Sequence, residues 1–270
     1  MSDLSLPRRP LGRTGLSSSP LGLSGSFGID ADAAERAFHE LSINHFFVTP
    51  RMPKLVRGLR RLIEAGHRDR LVLQSGAWLP TGGGVEGAWA SAAKALGTDR
   101  IDVFQVFWVQ RRWYLTGRTA PALHRLREQG KIRAACISTH RRPLGLQLAG
   151  EFDLDVLMLR YNAAHRGAER EVFDRLPDPR PGIVAYTATR WGRLLRPQDG
   201  LGPLTAPECY RFQLSHPKVD VALCGARTWD ELVADVRGVL AGPLDEPRLA
   251  EARAFGDAVH RSVTGRFGFR

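Results

Sequence analysis

Short apolar runs of strand length alternate with longer amphipathic stretches along almost the whole chain, the pattern of βα units around a parallel sheet. The runs predict strands at Leu21–Leu23, His45–Val48, Leu71–Gln74, Val103–Phe107, Ala134–Ile137, Val156–Leu159, Ile183–Thr187 and Val219–Cys224. Helical spacing predicts helices at Ala31–Ser42, Lys54–Ala65, Val85–Leu96, Ala120–Gln129, Leu144–Ala149, Glu169–Leu176, Pro207–Ser215 and Trp229–Leu240. Most of these stop near a Gly, Asn or His-Pro breaker. Thr205 with Glu208 and Thr228 with Glu231 have capping-box spacing, in which hydroxyl and carboxylate satisfy free backbone amides reciprocally.

Eight strands, each followed by a helix, predict a (β/α)8 TIM barrel spanning one domain, residues 1–270. Leu11–Leu16 predicts an N-terminal β-hairpin, and Glu246–His260 an extra C-terminal helix followed by a tail from Arg266. The alternative, a doubly wound open sheet, would place a Gly-rich dinucleotide turn after the first strand, and Leu23–Gly28 spaces its glycines wrongly for one.

Composition narrows the class. With 43% hydrophobic and 25% charged residues the chain can bury a sizeable core, and no apolar run approaches the ~20 residues of a membrane span. Nothing at the N-terminus reads as a secretory signal, so a cytoplasmic location is expected. The three cysteines suit neither a disulfide framework nor a zinc site, and no His or carboxylate pair has metal-ligand spacing. The net charge of +11 comes from scattered arginines, which favours a small anionic ligand over nucleic acid. The segment Arg160–Gly167 stands out, because it sets Arg, Tyr, Asn and His where a sixth strand should empty into the barrel mouth. Tyr161 and Asn162 are either structural or part of a site, and His140, one loop away, shares that ambiguity. Trp108, Trp113 and Tyr114 either pack or wall a flat ligand.

LGRTGL before Pro20–Leu23, LGTDRIDVFQVFW at 96–108, EQGKIRAACIS at 128–138, Tyr161-Asn162, GIVAYTA at 182–188 and CGARTWDEL at 224–232 together resemble the aldo-keto reductase superfamily. The resemblance implies a barrel that binds NADP(H) and small carbonyl substrates. In that family a Tyr donates a proton as hydride is delivered, a Lys and an Asp tune it, and a His orients the carbonyl. By motif, the Asp falls on Val48, the Tyr on Met52 or Pro53, the Lys on Gly76 and the His on Phe107. None of these side chains can donate a proton or stabilise a developing alkoxide.

The cofactor half is better kept. The resemblance assigns Ser138 to the nicotinamide amide, with Thr139 replacing an Asn and Met158 a Gln, and Tyr186 to stacking on the nicotinamide. Arg190 falls in a loop near the pyrophosphate, and Gly225, Arg227 and Thr228 fall at the adenosine-phosphate site, where free amides at a helix start favour phosphate. Asp235 stands where an Asn would contact adenine. One pocket is expected, bounded by Ser138, His140, Asn162, His165, Tyr186 and Arg190 and opening toward Arg227. The chain is therefore expected to be of oxidoreductase lineage, without the groups for ordinary carbonyl reduction. The alternatives are an acid–base enzyme (dehydratase, isomerase or cyclase) using His165, Tyr161 or His140, and a binding or regulatory barrel.

Overall fold

The computed structural model describes residues 4–267, with side chains described as far as Ser262. A two-stranded antiparallel hairpin, β1 (Arg9–Pro10) and β2 (Ser17–Ser18), precedes eight strands that close into a parallel barrel. In chain order these are β3 (Leu21–Ser24), β4 (His45–Phe47), β5 (Val72–Ala77), β6 (Ile101–Val106), β7 (Ile132–Thr139), β8 (Val156–Arg160), β9 (Gly182–Tyr186) and β10 (Val221–Cys224). β10 pairs with both β3 and β9, which completes the ring. The surrounding helices are α1 (Ala31–Glu40), α2 (Pro53–Glu64), α3 (Gly82–Leu96), α4 (Thr119–Glu128), α5 (Arg142–Glu151), α6 (Ala168–Glu171), α7 (Ala206–Ser215), α8 (Trp229–Leu240) and α9 (Glu246–Phe267). The (β/α)8 expectation, the hairpin and the extra helix are all borne out.

Strand alternation divides the apolar residues into two sets. Val72, Val103, Cys136, Val156, Met158, Val184, Val221 and Leu223 pack inside the barrel. Leu21, Phe46, Leu73, Phe104, Ile137, Leu157 and Ile183 face outward, against the helices. The hairpin plugs the bottom of the barrel, because Leu11 and Leu16 join the interior set. Gly12 makes that close approach possible. It sits at φ +49°, and a Cβ there would lie 2.3 Å from the Gly182 amide nitrogen. Above the plug a chain of buried polar groups crosses the interior. Ser18 Oγ meets His45 Nδ1 at 2.9 Å, His45 Nε2 meets Gln74 Oε1 at 2.8 Å, and the Gln74 amide donates to Gln105 Oε1 at 2.6 Å. Burial lowers the His45 pKa to about 4, so its ring is neutral near pH 7.

Three local expectations change. The helix expected at Glu169–Leu176 is one short turn, α6, followed by a separate 3-10 turn at Phe173–Arg175. Val172 breaks it at φ −131°, and Leu176 is extended because Pro177 follows it. Helix α9 continues to Phe267, through the first residues expected to be tail, whereas residues 268–270 lie outside the described residues. Thr205 and Glu208 form the full reciprocal capping box on α7. On α8 only half of the box forms: Thr228 accepts from the Glu231 amide at 3.2 Å, but the Glu231 carboxylate takes the Arg227 N–H at 2.8 Å, one residue early.

Candidate functional site at the barrel mouth

The C-terminal strand ends of a (β/α)8 barrel form its mouth. Here the mouth has two unlike sides. On the β4–β6 side, Phe47 and Phe107 meet edge to face at 5.9 Å, and Trp78 lies against Phe107 at 4.7 Å. Gly76, on β5, has no room for a side chain: a Cβ would lie 2.4 Å from the Gln105 carbonyl oxygen. Val48 is 1% exposed and packs among the outward-facing apolar residues.

The β7–β9 side is basic. His140 follows β7, stacks on Trp108 at 5.2 Å with ring planes 18° apart, and lies 6.0 Å from the Tyr186 ring. Arg160 ends β8 and is paired in register with Tyr186 on β9. His165 lies beyond β8 and meets His260 of α9 at 5.2 Å. Burial first, and then Arg160 and Arg142, lower the His140 pKa to about 4. Burial first, and then Arg160 and Arg190, lower that of His165 to about 3. Both rings are therefore neutral near pH 7. Burial raises the Tyr186 phenol well above its usual range.

The expected site residues separate. His140, His165 and Tyr186 come together around Arg160. Tyr161 does not join them: it is 2% exposed, faces the helical layer against Phe173 and Phe212, and donates its hydroxyl to Glu169 Oε1 at 2.8 Å. Asn162 is spent on backbone, donating to the Thr187 carbonyl at 2.8 Å and accepting from the Ala164 amide at 3.0 Å. Ser138 Oγ accepts the Trp108 N–H at 2.9 Å, and Thr139 Oγ1 donates to the Val109 carbonyl at 2.6 Å. The Arg190 guanidinium, expected beside a pyrophosphate, is 6% exposed and donates to the Val259 carbonyl at 3.0 Å, tying the β9 loop to α9. Asp235 is turned into the protein at 4% exposure and accepts from Cys224 Sγ at 3.2 Å, not toward an adenine site. Gly225 receives the Phe27 ring, which a Cβ would meet at 2.4 Å, and the Arg227 guanidinium lies 5.8 Å from the centre of that ring. Thr228 caps α8.

Backbone strain collects at the same rim. Trp108 after β6, and Thr187, Arg190 and Trp191 after β9, all have φ between 52° and 58°. Each costs on the order of 1–2 kcal/mol for a residue with a Cβ. Sequence reasoning passed over Trp78 and Phe27, and it noted Arg160 within its segment without giving it a role. Arg160 was legible in principle: Met158 faces the interior, so the residue two further on shares its face. A separate groove of about 390 Å³ on the flank, lined by Leu115, Ala120, His124 and Phe152, does not reach the mouth. Among the described residues no cluster of three or more metal-ligating side chains occurs, and no helix is long and apolar enough to cross a membrane.

A closed parallel barrel with a hairpin plug and an asymmetric mouth defines a fold class, and known proteins share it. Residues 84–205 match the aldo/keto reductase family. Among solved structures, the holo form of the aldo-keto reductase AKR11C1 from Bacillus halodurans superimposes with a TM-score of 0.78 at 21% identity, over 93% of this chain and 96% of that one. A Pseudomonas aeruginosa protein assigned to the aldo-keto reductases gives 0.71 at 25% identity, over 87% and 94%. No curated protein sequence matches the chain. The likeness is thus to the aldo/keto reductase family over residues 84–205 and to the fold of aldo-keto reductases over most of the chain.

Proposed function

We propose that the chain is a single-domain, small-molecule-binding barrel of reductase lineage in which ordinary NADPH-dependent carbonyl reduction has been lost. The observation that carries this is Gly76, where the resemblance assigns the tetrad Lys. With the Gln105 carbonyl 2.4 Å from any Cβ, a long basic side chain has no path into the mouth from this backbone. Around it, Phe47, Phe107 and Trp78 occupy the space with apolar rings that need no charged partner. General acid catalysis, typically worth ~10²–10⁴-fold, has no donor on that side.

The chain's fit to NADP(H) is uneven. At the adenosine-phosphate end, the Arg227 guanidinium pairs with no carboxylate among the described residues, although its backbone N–H is taken by Glu231, and it stands at the capped start of α8, so it is available to a 2′-phosphate. At the nicotinamide end the fit fails. Ser138 and Thr139 are committed to backbone groups, and Met158 lies inside the barrel with its sulfur 3.7 Å from the Gln74 amide. NADP(H) is then gripped at its phosphate end, with the nicotinamide unfixed, and no hydride step is assigned to it. Fluorescence titration with NADPH tests this. Arg227→Ala should weaken NADPH by about 10–150-fold, as for loss of a charged hydrogen bond of ~1.5–3 kcal/mol, and should leave NADH nearly unchanged. No calorimetric binding of either nucleotide at millimolar concentration would contradict it.

A second reading, acid–base chemistry, is favoured by two unprotonated imidazoles, His140 and His165, flanking one guanidinium. Tyr161, sealed in the helical layer, has no part in it.

A further inference from the structure

Among the described residues, Arg160 is a mouth cation that no carboxylate pairs. Its cationic neighbours are engaged. Arg142 pairs with Glu171 through two bonds of 2.8 and 3.0 Å, and Arg190 holds the Val259 carbonyl. Arg160 has a buried Nε with no hydrogen-bond partner, and no carboxylate acts on it among the described residues. The groups that do face it are Tyr186 on β9, His140 after β7, His165 in its own loop, Arg142 on α5, Arg190 after β9 and His260 on α9. None of these is a carboxylate, and burial keeps the Tyr186 phenol neutral. A partly buried cation among like charges and neutral rings is unfavourable unless an anion joins it.

We propose that Arg160 anchors a planar aromatic carboxylate in the barrel mouth. The inference rests on the reading of this mouth as a small-molecule site. The guanidinium fork matches a carboxylate in a bidentate arrangement. His165 Nδ1 is also buried without a partner, so an imidazole N–H placed there would find an acceptor in the same anion. The case for a flat, aromatic body comes from the walls. Trp108, 53% exposed, stacks on His140, and Trp78, 58% exposed, lies on Phe107. Two large rings left uncovered at one rim supply stacking faces for the part of the ligand beyond its carboxylate.

The test uses the whole chain with benzoate, and with benzamide and acetate as controls. Calorimetry should give a dissociation constant of about 0.1–1 mM for benzoate, the range open to so small a ligand, and at least tenfold weaker binding for benzamide, which lacks the charge, and for acetate, which lacks the ring. Arg160→Met should weaken benzoate by about 10–100-fold and leave the ligand-free Tm equal or higher, because it removes an unpaired cation. Arg160→Lys, which keeps the charge but not the fork, should fall between. Three results overturn the proposal: no benzoate binding by the wild type at about 10 mM, well above the expected constant; equal binding by wild type and either variant; or a lowered ligand-free Tm in Arg160→Met, which would make the side chain structural. NADPH titration of the same samples separates this site from the nucleotide grip. In the wild type, no benzoate binding with NADPH bound sinks only the Arg160 site, and the reverse sinks only the phosphate grip at Arg227.

Discussion

The two sides of the barrel mouth solve opposite problems with the same strand geometry. On the β4–β6 side, Gly76 lets β5 and β6 approach closely, and Phe47, Phe107 and Trp78 cover the strand ends with rings. On the β7–β9 side, His140, Arg160 and Tyr186 keep polar atoms at the strand ends, and Arg160 Nε and His165 Nδ1 have no partner. At the seam between them the Trp108 N–H donates to Ser138 Oγ at 2.9 Å, the Val109 N–H to the Ser138 carbonyl at 2.8 Å and Thr139 Oγ1 to the Val109 carbonyl at 2.6 Å, beside Trp108 in its left-handed conformation. Apolar closure on one side is self-sufficient, since well-packed rings leave nothing to satisfy. The polar side is complete only when something joins it. The contrast locates binding: a ligand gains most where the empty protein is least satisfied.

The largest test of the contrast is Gly76→Lys. A new Cβ 2.4 Å from a backbone carbonyl, bearing a cation into an apolar wall, should cost more than about 4 kcal/mol in urea unfolding. A near-neutral Lys would mean that the β5–β6 approach is loose and that the reductase side could be rebuilt.

The next effect belongs to the basic side and is read from pH. His140 and His165 have folded pKa values of about 4 and about 3, below the unfolded 6.5, so the unfolded chain binds more protons between those limits. The contribution of both rings is fully present above pH 6.5 and is lost as pH falls toward 4 and then 3. A tenfold difference in proton affinity between the two states corresponds to ~1.36 kcal/mol, and partial hydration of both rings reduces the total to a few kcal/mol. Thermal melts between pH 7 and pH 4 should show a steep loss of stability that becomes shallower in Arg160→Met, because that guanidinium helps to lower both pKa values. An unchanged slope in the variant would separate the two histidines from Arg160.

How far the sequence disclosed this contrast follows from what its signals measure. Short apolar runs mark strands whatever surrounds them, so all eight barrel strands were legible from the apolar segments and the hairpin from Leu11–Leu16. Side-chain direction at the strand ends was not used to the full. Tyr161 drew attention as chemistry, yet alternation from Met158 turns Arg160 inward and Tyr161 outward, where its hydroxyl finds Glu169. Family position likewise did not disclose what Asp235 and Arg190 contact, because position fixes neither a rotamer nor a partner: one is turned to Cys224, the other to the Val259 carbonyl. Arg190 finds that partner because α9 crosses the β9 loop, and no local pattern in residues 187–192 announces a contact with residue 259.

The central claim is that the β4–β6 wall ended carbonyl reduction while the β7–β9 side kept binding. The most direct measurement is the oxidation of saturating NADPH by the purified protein with nitrobenzaldehyde, followed by the loss of NADPH absorbance. The account predicts a rate indistinguishable from the protein-free background, since the wall holds no proton donor. A saturable, protein-dependent rate that persists in His140→Ala, His165→Ala and Tyr186→Phe variants would contradict it, for it would require a proton donor outside the groups that the polar side of the mouth provides.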